Sequence, residues 1–271
     1  MTRRSGWDTS PYWRCRRRRW SPWQQGVAAV GLRLIPAFPG SPYYELPAGG
    51  AAMKDMRRRL ESEGIRVYDI EFVEIGPAFR PETLLPVMES AAELGAQRLN
   101  ACGDDPDPVR QVDSFAALCD LAAGFGLGVD LECMAWRQVA SLPAVLKVVE
   151  AAGRQNGAAL IDALHLSRTG AKPSDLRGLP ASYLRSAQLC DAVAEPPTTS
   201  EAAVAEARGG RFPPGEGALP LAELLAVLPD DVVLSVEVPK YKEAPAAVRA
   251  GELCAATRKL LHSCRLTAQQ P

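Results

Sequence analysis

The chain contains 271 residues, of which 47% are hydrophobic and 23% charged, and its 31 Lys and Arg residues nearly balance its 32 Asp and Glu residues, for a formal net charge of −1. This composition is typical of an ordinary globular protein and excludes collagen-like, coiled-coil and wholly disordered chains. The near-neutral charge argues against a nucleic-acid-binding surface over the whole molecule, and the length suits one large domain such as an α/β barrel.

Residues 1–25 differ in composition from the rest of the chain, with seven Arg residues, one Asp and four of the five Trp residues. Arg interleaved with Trp is compatible with a basic arm for nucleic acid or an anionic membrane surface, but a disordered or wrongly assigned N-terminus without chemistry is favoured. The apolar stretch at residues 27–32 is interrupted by Arg33, which is untypical of an export signal. We therefore expect a disordered segment over 1–25 and a barrel domain over 26–271.

From residue 26 onward, short apolar segments alternate with Ala/Leu-rich helical segments, a pattern typical of βα units around a parallel sheet. Seven strands are predicted, over residues 27–34, 65–73, 98–102, 128–134, 158–166, 186–191 and 232–238. Helices are predicted over residues 50–62, 81–94, 106–125, 141–153, 221–228 and 245–263, with a short turn over 173–176. One further strand at the N-terminus would complete a (β/α)₈ TIM barrel, so we expect that fold with an incomplete or atypical first βα unit. An open doubly wound sheet is the alternative, although no GxGxxG motif follows an early strand.

Three other features bear on the class of protein. Asp104, Asp105 and Asp107 stand just before a predicted helix, where acidic residues favour capping over metal binding. The seven cysteines contain no CxxC pair, which argues against a disulfide framework. Because no run of about 18 uncharged apolar residues is present, we interpret the chain as soluble and cytoplasmic.

Polar residues interrupt the predicted strands near their carboxyl ends, where the active sites of parallel barrels lie. They are Glu132, Asp162, Gln188 and Glu237, and their spacing lets successive strands present them to one centre. Carboxylates that are buried together repel one another, and a divalent cation is the simplest way to stabilise them. Carboxylate and amide oxygens favour Mn²⁺ or Mg²⁺, with Co²⁺ as a third candidate. The alternative is that each acid separately caps a loop or pairs with an Arg.

The segments VDLECM, LIDALHLSRTG, AQLCDA, PGEG and LSVEVP, in this order, resemble those of the xylose isomerase-like TIM barrels, the sugar phosphate isomerase/epimerase superfamily. The resemblance implies that a metal is held by Glu132, Asp162, Gln188 and Glu237, and Gln188 stands where the family usually has a His. It also implies two substrate contacts, His165 in a DxxH arrangement and Arg211 before PGEG. Weaker candidates for the pocket or its loops are Arg33, Glu74, Arg168, Lys172, Arg208 and Glu216.

The residues and the resemblance together predict a divalent-metal-dependent sugar or polyol isomerase or epimerase that works through an enediolate. Glu132 and Glu237 are the expected catalytic base and acid. Two alternatives stay open: a dehydratase of the same superfamily, of the inosose or dehydroshikimate type, and a catalytically silent barrel that acts as a binding module. Endonuclease-type repair would need a His-rich metal cluster, and the chain has two His. We expect a sugar, polyol or related hydroxy-carbonyl substrate and no nucleic acid or membrane partner, with a homo-oligomer left open.

Overall fold

The structure is a computed structural model that describes residues 12–16, 29–38, 40–239 and 244–268, with side chains from 29 to 264 within those ranges. Eight strands form a closed barrel in chain order. They are β1 (Tyr12–Arg16), β2 (Ala29–Arg33), β3 (Arg66–Ile75), β4 (Arg98–Gly103), β5 (Gly128–Glu132), β6 (Gly157–Asp162), β7 (Leu184–Leu189) and β8 (Val233–Val236). Strands β2 to β8 run parallel to one another, as the alternation of segments predicts, and the TIM-barrel prediction is confirmed.

Eight α-helices surround the sheet in the described chain: α1 (Ala51–Ser62), α2 (Leu85–Glu93), α3 (Pro108–Ala123), α4 (Leu142–Ala152), α5 (Ala163–Arg168), α6 (Ser200–Ala205), α7 (Leu221–Val227) and α8 (Ala246–Ala268). Asp107 caps α3 by accepting hydrogen bonds from the backbone N–H groups of Val109 and Arg110, which confirms the capping interpretation for that residue. None of the helices described is long and apolar enough to cross a membrane.

The first strand is atypical, because β1 runs antiparallel to both of its neighbours, β2 and β8. Its five residues belong to the Arg/Trp-rich segment for which no strand was predicted. A strand at this position pairs backbone groups on β2 and β8 that would otherwise form two open sheet edges, and this pairing outweighs the unfavourable local composition. The other residues of 1–25 lie outside the described residues, so the proposed boundary at residue 26 stays a prediction.

Two parts of the chain fold differently from the sequence prediction. The strand predicted over 158–166 ends at Asp162, because the Asp162 carboxylate accepts a hydrogen bond from the backbone N–H of His165 and caps α5. The loop after β7 contains α6 and a π-helical turn over Glu206–Gly210, neither of which was predicted. Both differences lie at the carboxyl end of the barrel.

The barrel interior is polar, whereas the layer between the sheet and the helices is apolar. Side chains alternate across a strand, so Ile70, Leu99 and Leu131 belong to the apolar core, while neighbouring residues on the opposite face are buried and polar. The buried polar side chains of these strands are Asp69, Glu71, Asn100, Asp130 and Glu132. The inward-facing acids therefore follow directly from the register of β3, β4 and β5.

Candidate active site

The four predicted ligand residues come from adjacent positions at the carboxyl end of the barrel. Glu132 and Asp162 are the last residues of β5 and β6, and Gln188 is the partner of Asp162 across the β6–β7 ladder. Glu237 follows β8 directly, and its backbone N–H donates to the Leu189 carbonyl at 3.0 Å. The strand register thus brings these positions to one end of the barrel, as their spacing predicts.

A compact group of possible metal ligands lies at this end of the barrel. Single ligand atoms of Glu132, Asp162 and His165 all lie within 4.8 Å of one another, and all three residues are buried. His165 therefore belongs to this group, although the resemblance implies a substrate contact for it, whereas the predicted ligand Glu237 lies outside the group. His165 also packs edge-on against Trp136, with ring centroids 5.3 Å apart.

Arg211 occupies the centre of the site with its guanidinium buried. Its Nη1 donates to Asp162 Oδ2 at 2.6 Å and to Glu237 Oε2 at 3.4 Å, so it links two of the predicted ligand residues. Its Nε donates to the Ala207 carbonyl at 3.0 Å, within the π-helical turn. The long loop after β7 therefore delivers a permanent positive charge between the ends of β6 and β8.

The charges of this cluster act strongly on one another. Burial raises the pKa of Glu132 well above its usual range, and the carboxylates of Asp162 and Glu237 raise it further. Burial would also raise the pKa of Asp162. The Arg211 guanidinium and the hydrogen bond from the backbone N–H of His165 outweigh this effect and hold the pKa of Asp162 below its usual value. Of these two carboxyl groups, Glu132 is therefore the one whose protonated form is favoured when no cation is bound.

His165 is neutral because burial lowers its pKa to about 4. Its Nε2 lies 3.3 Å from Nη2 of Arg211. Since a guanidinium only donates hydrogen bonds, we assign Nε2 as the acceptor and place the ring proton on Nδ1. The imidazole is therefore a neutral group beside Asp162 in the wall of the site.

Gln188 is held by a glutamate that the sequence analysis missed. Its Nε2 donates to Glu71 Oε1 at 3.1 Å, and Glu71 also accepts from Asn100 Nδ2 at 3.4 Å and from Arg33 Nη2 at 3.3 Å. The alternation in YDIEF, which puts Asp69 and Glu71 on one face of an apolar strand, is the signal that could have identified Glu71.

The weaker candidates mostly serve the loops around the site. Arg33 pairs with Glu71, and Glu74 pairs with Arg137 at 2.6 Å. Arg168 makes a two-point ion pair with Glu206, and its side chain is only 5% exposed, so it fastens α5 to the loop after β7. Arg208 lies over the ring of Phe38, 4.3 Å from its centroid, whereas Lys172 and Glu216 are exposed.

A divalent cation fits the residues of the site. The carboxylates of Glu132, Asp162 and Glu237 carry three negative charges when ionised, and Arg211 supplies one positive charge, so two positive charges complete neutrality. Glu132 Oε1 and Gln188 Oε1 are buried and have no hydrogen-bond partner among the described residues. Buried oxygen atoms of this kind are costly unless a proton donor or a cation binds them, and hard oxygen donors match a hard divalent ion.

The fold and the site define the chain as a TIM barrel with a buried acidic centre at the carboxyl ends of its strands. The family model for the xylose isomerase-like TIM barrel matches residues 25–260. The chain belongs to this family, as the resemblance implied. No curated protein matches the sequence.

Several solved structures share the fold. A xylose isomerase-like TIM barrel/4-hydroxyphenylpyruvate dioxygenase fusion protein aligns with a TM-score of 0.71 and 19% identity. The alignment covers 86% of this chain and 38% of the fusion protein. The IOLI protein with a binding zinc atom has a TM-score of 0.69 and 18% identity, with 89% of each chain covered. A D-psicose 3-epimerase with D-tagatose from Clostridium cellulolyticum H10 has a TM-score of 0.63 and 13% identity, with 90% of each chain covered.

Proposed function

We propose that the chain is a divalent-metal-dependent isomerase or epimerase of a sugar, a polyol or a related hydroxy-carbonyl compound. The observation that carries this proposal is the buried Glu132 carboxyl, whose Oε1 lacks a partner among the described residues beside the Asp162 carboxylate. Family membership supports the proposal, as do the zinc named for one structural neighbour and the epimerase activity named for another.

Four residues would hold the metal: Glu132, Asp162, Gln188 and Glu237, with Mn²⁺ or Mg²⁺ as the preferred ion and Co²⁺ as a third candidate. When bound, such an ion polarises a carbonyl group and stabilises negative charge on its oxygen. Arg211 keeps Asp162 and Glu237 in place through its two contacts. Because Nη2 carries a second N–H besides the one directed at His165 Nε2, Arg211 is suited to donate one hydrogen bond to a substrate oxygen.

Glu132 and Glu237 are the groups that would move the proton. The Glu132 carboxyl lies at the end of β5 beside Asp162, and a carboxyl group positioned next to the substrate is suited to act as a general base or acid. Glu237 directly follows β8, three strands away from β5 around the barrel, and its side chain is 14% exposed. A proton removed from one side of the substrate carbon and returned from the other gives epimerisation, and its return to the neighbouring carbon gives isomerisation.

The metal part of the proposal is tested by calorimetry on protein that has been treated with a chelator. We expect the wild-type chain to bind Mn²⁺ at one site per chain, and Glu132→Gln to weaken binding by at least about 100-fold because it removes an anionic ligand. Glu216→Gln is the matched control, since this glutamate is exposed in the PGEG loop, and it should bind Mn²⁺ as the wild type does. Unchanged binding by Glu132→Gln would contradict the proposed site.

The chemical part is tested by incubating the metal-loaded protein with a panel of free and phosphorylated ketoses in D₂O. An isomerase or epimerase exchanges the C–H proton beside the carbonyl for deuterium, which nuclear magnetic resonance detects. Loss of a β-hydroxyl group with formation of a conjugated carbonyl would instead identify a dehydratase. Metal binding without exchange on any substrate of the panel would favour the catalytically silent barrel.

A further inference from the structure

The strongest feature outside the four predicted ligands is the buried group around Glu71 on β3. Its carboxylate meets Gln188 from β7, Asn100 from β4 and Arg33 from β2. Glu71 and Gln188 are separated by 117 residues, and the contact between them spans the barrel interior. Both side chains are almost completely buried.

The contact fixes the orientation of the Gln188 amide. A carboxylate is purely an acceptor, so the edge of the amide that faces Glu71 must be the NH₂ group. Reversing the amide would place its oxygen against the carboxylate in a buried environment, where unpaired and repelling acceptors are costly. The oxygen is therefore kept on the opposite edge of the amide, away from Glu71.

The oxygen presented in this way has the environment of a ligand atom. Gln188 Oε1 is buried without a hydrogen-bond partner among the described residues. Gln188 is the ladder partner of Asp162 on β6 and of Ser235 on β8. Ser235 stands two residues before Glu237. The strand register therefore places Gln188 beside Asp162, at the end of the barrel where the carboxylates proposed to bind the cation lie.

The Glu71 carboxylate already has partners for its charge and for both of its oxygen atoms. Its Oε2 accepts from Arg33, whose side chain is 19% exposed, and its Oε1 accepts from two amide groups. A carboxylate that already has a paired cation and amide donors is better suited to orient a neighbour than to bind a metal directly.

We propose that Glu71 is a positioning residue that holds the amide of Gln188 with its oxygen toward the divalent cation. The inference rests on the proposed metal site. It explains how a glutamine can serve where a histidine is usual, because a free amide is a weak and rotatable ligand, whereas an amide clamped through its nitrogen is preorganised. Arg33 and Asn100 keep the clamping carboxylate in place.

The test is a double-mutant cycle read by Mn²⁺ calorimetry on chelator-treated protein. Glu71→Gln lets either edge of the side chain at position 71 face Gln188, so the clamp is lost at constant size. We expect Glu71→Gln to weaken Mn²⁺ binding by about 10- to 100-fold, the range found for residues that orient metal ligands. In a Gln188→Ala background the same substitution should change binding by less than about two-fold, because Glu71 then has no ligand to position.

Glu74→Gln is the matched control, since Glu74 lies on the same strand but pairs with Arg137 at the rim, and it should leave Mn²⁺ affinity unchanged. If Glu71→Gln loses the wild-type circular-dichroism spectrum, Glu71→Asp takes its place, because it keeps the charge opposite Arg33 while withdrawing the carboxylate from the amide. We expect the same loss of affinity for it.

Two results would overturn the inference alone: wild-type affinity in Glu71→Gln, or an equal loss in both backgrounds, which would show that Glu71 acts on the metal or the fold without Gln188. The proposed function fails separately, when the wild type binds no Mn²⁺ or when Glu132→Gln binds it normally, and the inference then falls with it.

Discussion

Glu132 shows most clearly how the needs of the site and the stability of the fold oppose each other. Its carboxyl is buried at the end of β5, next to Asp162 and under the influence of Glu237. Each of these conditions disfavours the ionised form that a metal ligand requires. A residue such as Glu132 that lowers the stability of the fold in this way indicates a functional role at its position.

This conflict predicts a pH-dependent stability for the metal-free protein. The folded pKa of Glu132 is raised, so between the ordinary glutamate value, about 4.3, and the raised value the folded state holds more protons than the unfolded state. Stability therefore falls as pH rises through that window and levels off above it. Glu132→Gln removes this loss, and we expect it to raise the melting temperature at pH 7 by about 2–4 °C, equivalent to roughly 1 kcal/mol.

The measurement is thermal unfolding of chelator-treated wild type and Glu132→Gln across pH 4–8, with Glu216→Gln as the control. The melting temperatures of the wild type and Glu132→Gln should differ least near pH 4 and most near pH 7. A Glu132→Gln protein that melts below the wild type at pH 7 would show that the folded protein stabilises the ionised carboxyl without a metal ion.

At the same scale, sequence reasoning identified some members of the site more easily than others. Glu132 and Asp162 were predictable because a carboxylate at the end of an apolar strand has few structural roles, and Arg211 was implied by its place before PGEG. Glu71 was missed because it lies within a strand that also contains Asp69 and Glu74, so that only its alternation distinguishes it. The contact between Glu71 and Gln188 joins opposite sides of the barrel, which local spacing does not reveal.

The elements of the barrel follow their local sequence wherever one tendency dominates. The seven parallel strands and the long helices α1, α3, α4 and α8 coincide closely with apolar periodicity and its end signals. The helix α5 was not predicted because its sequence is apolar and could continue β6. The helix starts there because the Asp162 carboxylate accepts a hydrogen bond from the backbone N–H of His165. The strand β1 escaped because its pairing with β2 and β8 is a long-range effect.

The role of β1 in closing the sheet predicts the result of removing it. Deleting residues 1–16 removes β1 and exposes the facing edges of β2 and β8, so we expect a lower melting temperature and concentration-dependent aggregation. Deleting residues 1–11 keeps β1 and is the matched control, with wild-type behaviour expected. Thermal unfolding and light scattering measure both effects, and a stable, monodisperse chain without residues 1–16 would show that β1 does not close the barrel.

In the whole molecule, the alternation of side chains along the strands separates the residues that stabilise the fold from the residues of the candidate site. The outward faces of the strands and the inner faces of the helices form one large apolar core, and Ala29, Tyr68 and Val233 form a second, small cluster. The inward faces of β3 to β7 carry buried acids, amides and hydroxyl groups. At the opposite end of the barrel from the site, Arg98 pairs with Asp130 inside the sheet. The carboxyl end differs in having more buried carboxylates than cations, which makes it the place for an added positive charge.

Anomalous diffraction from crystals soaked in Mn²⁺ shows most directly whether this excess negative charge binds one divalent cation. We predict a single strong peak at the carboxyl end of the barrel, about 2.0–2.3 Å from oxygen atoms of Glu132, Asp162, Gln188 and Glu237. A map at saturating Mn²⁺ that shows no peak among these side chains, with Arg211 as the only cation between Asp162 and Glu237, would contradict it.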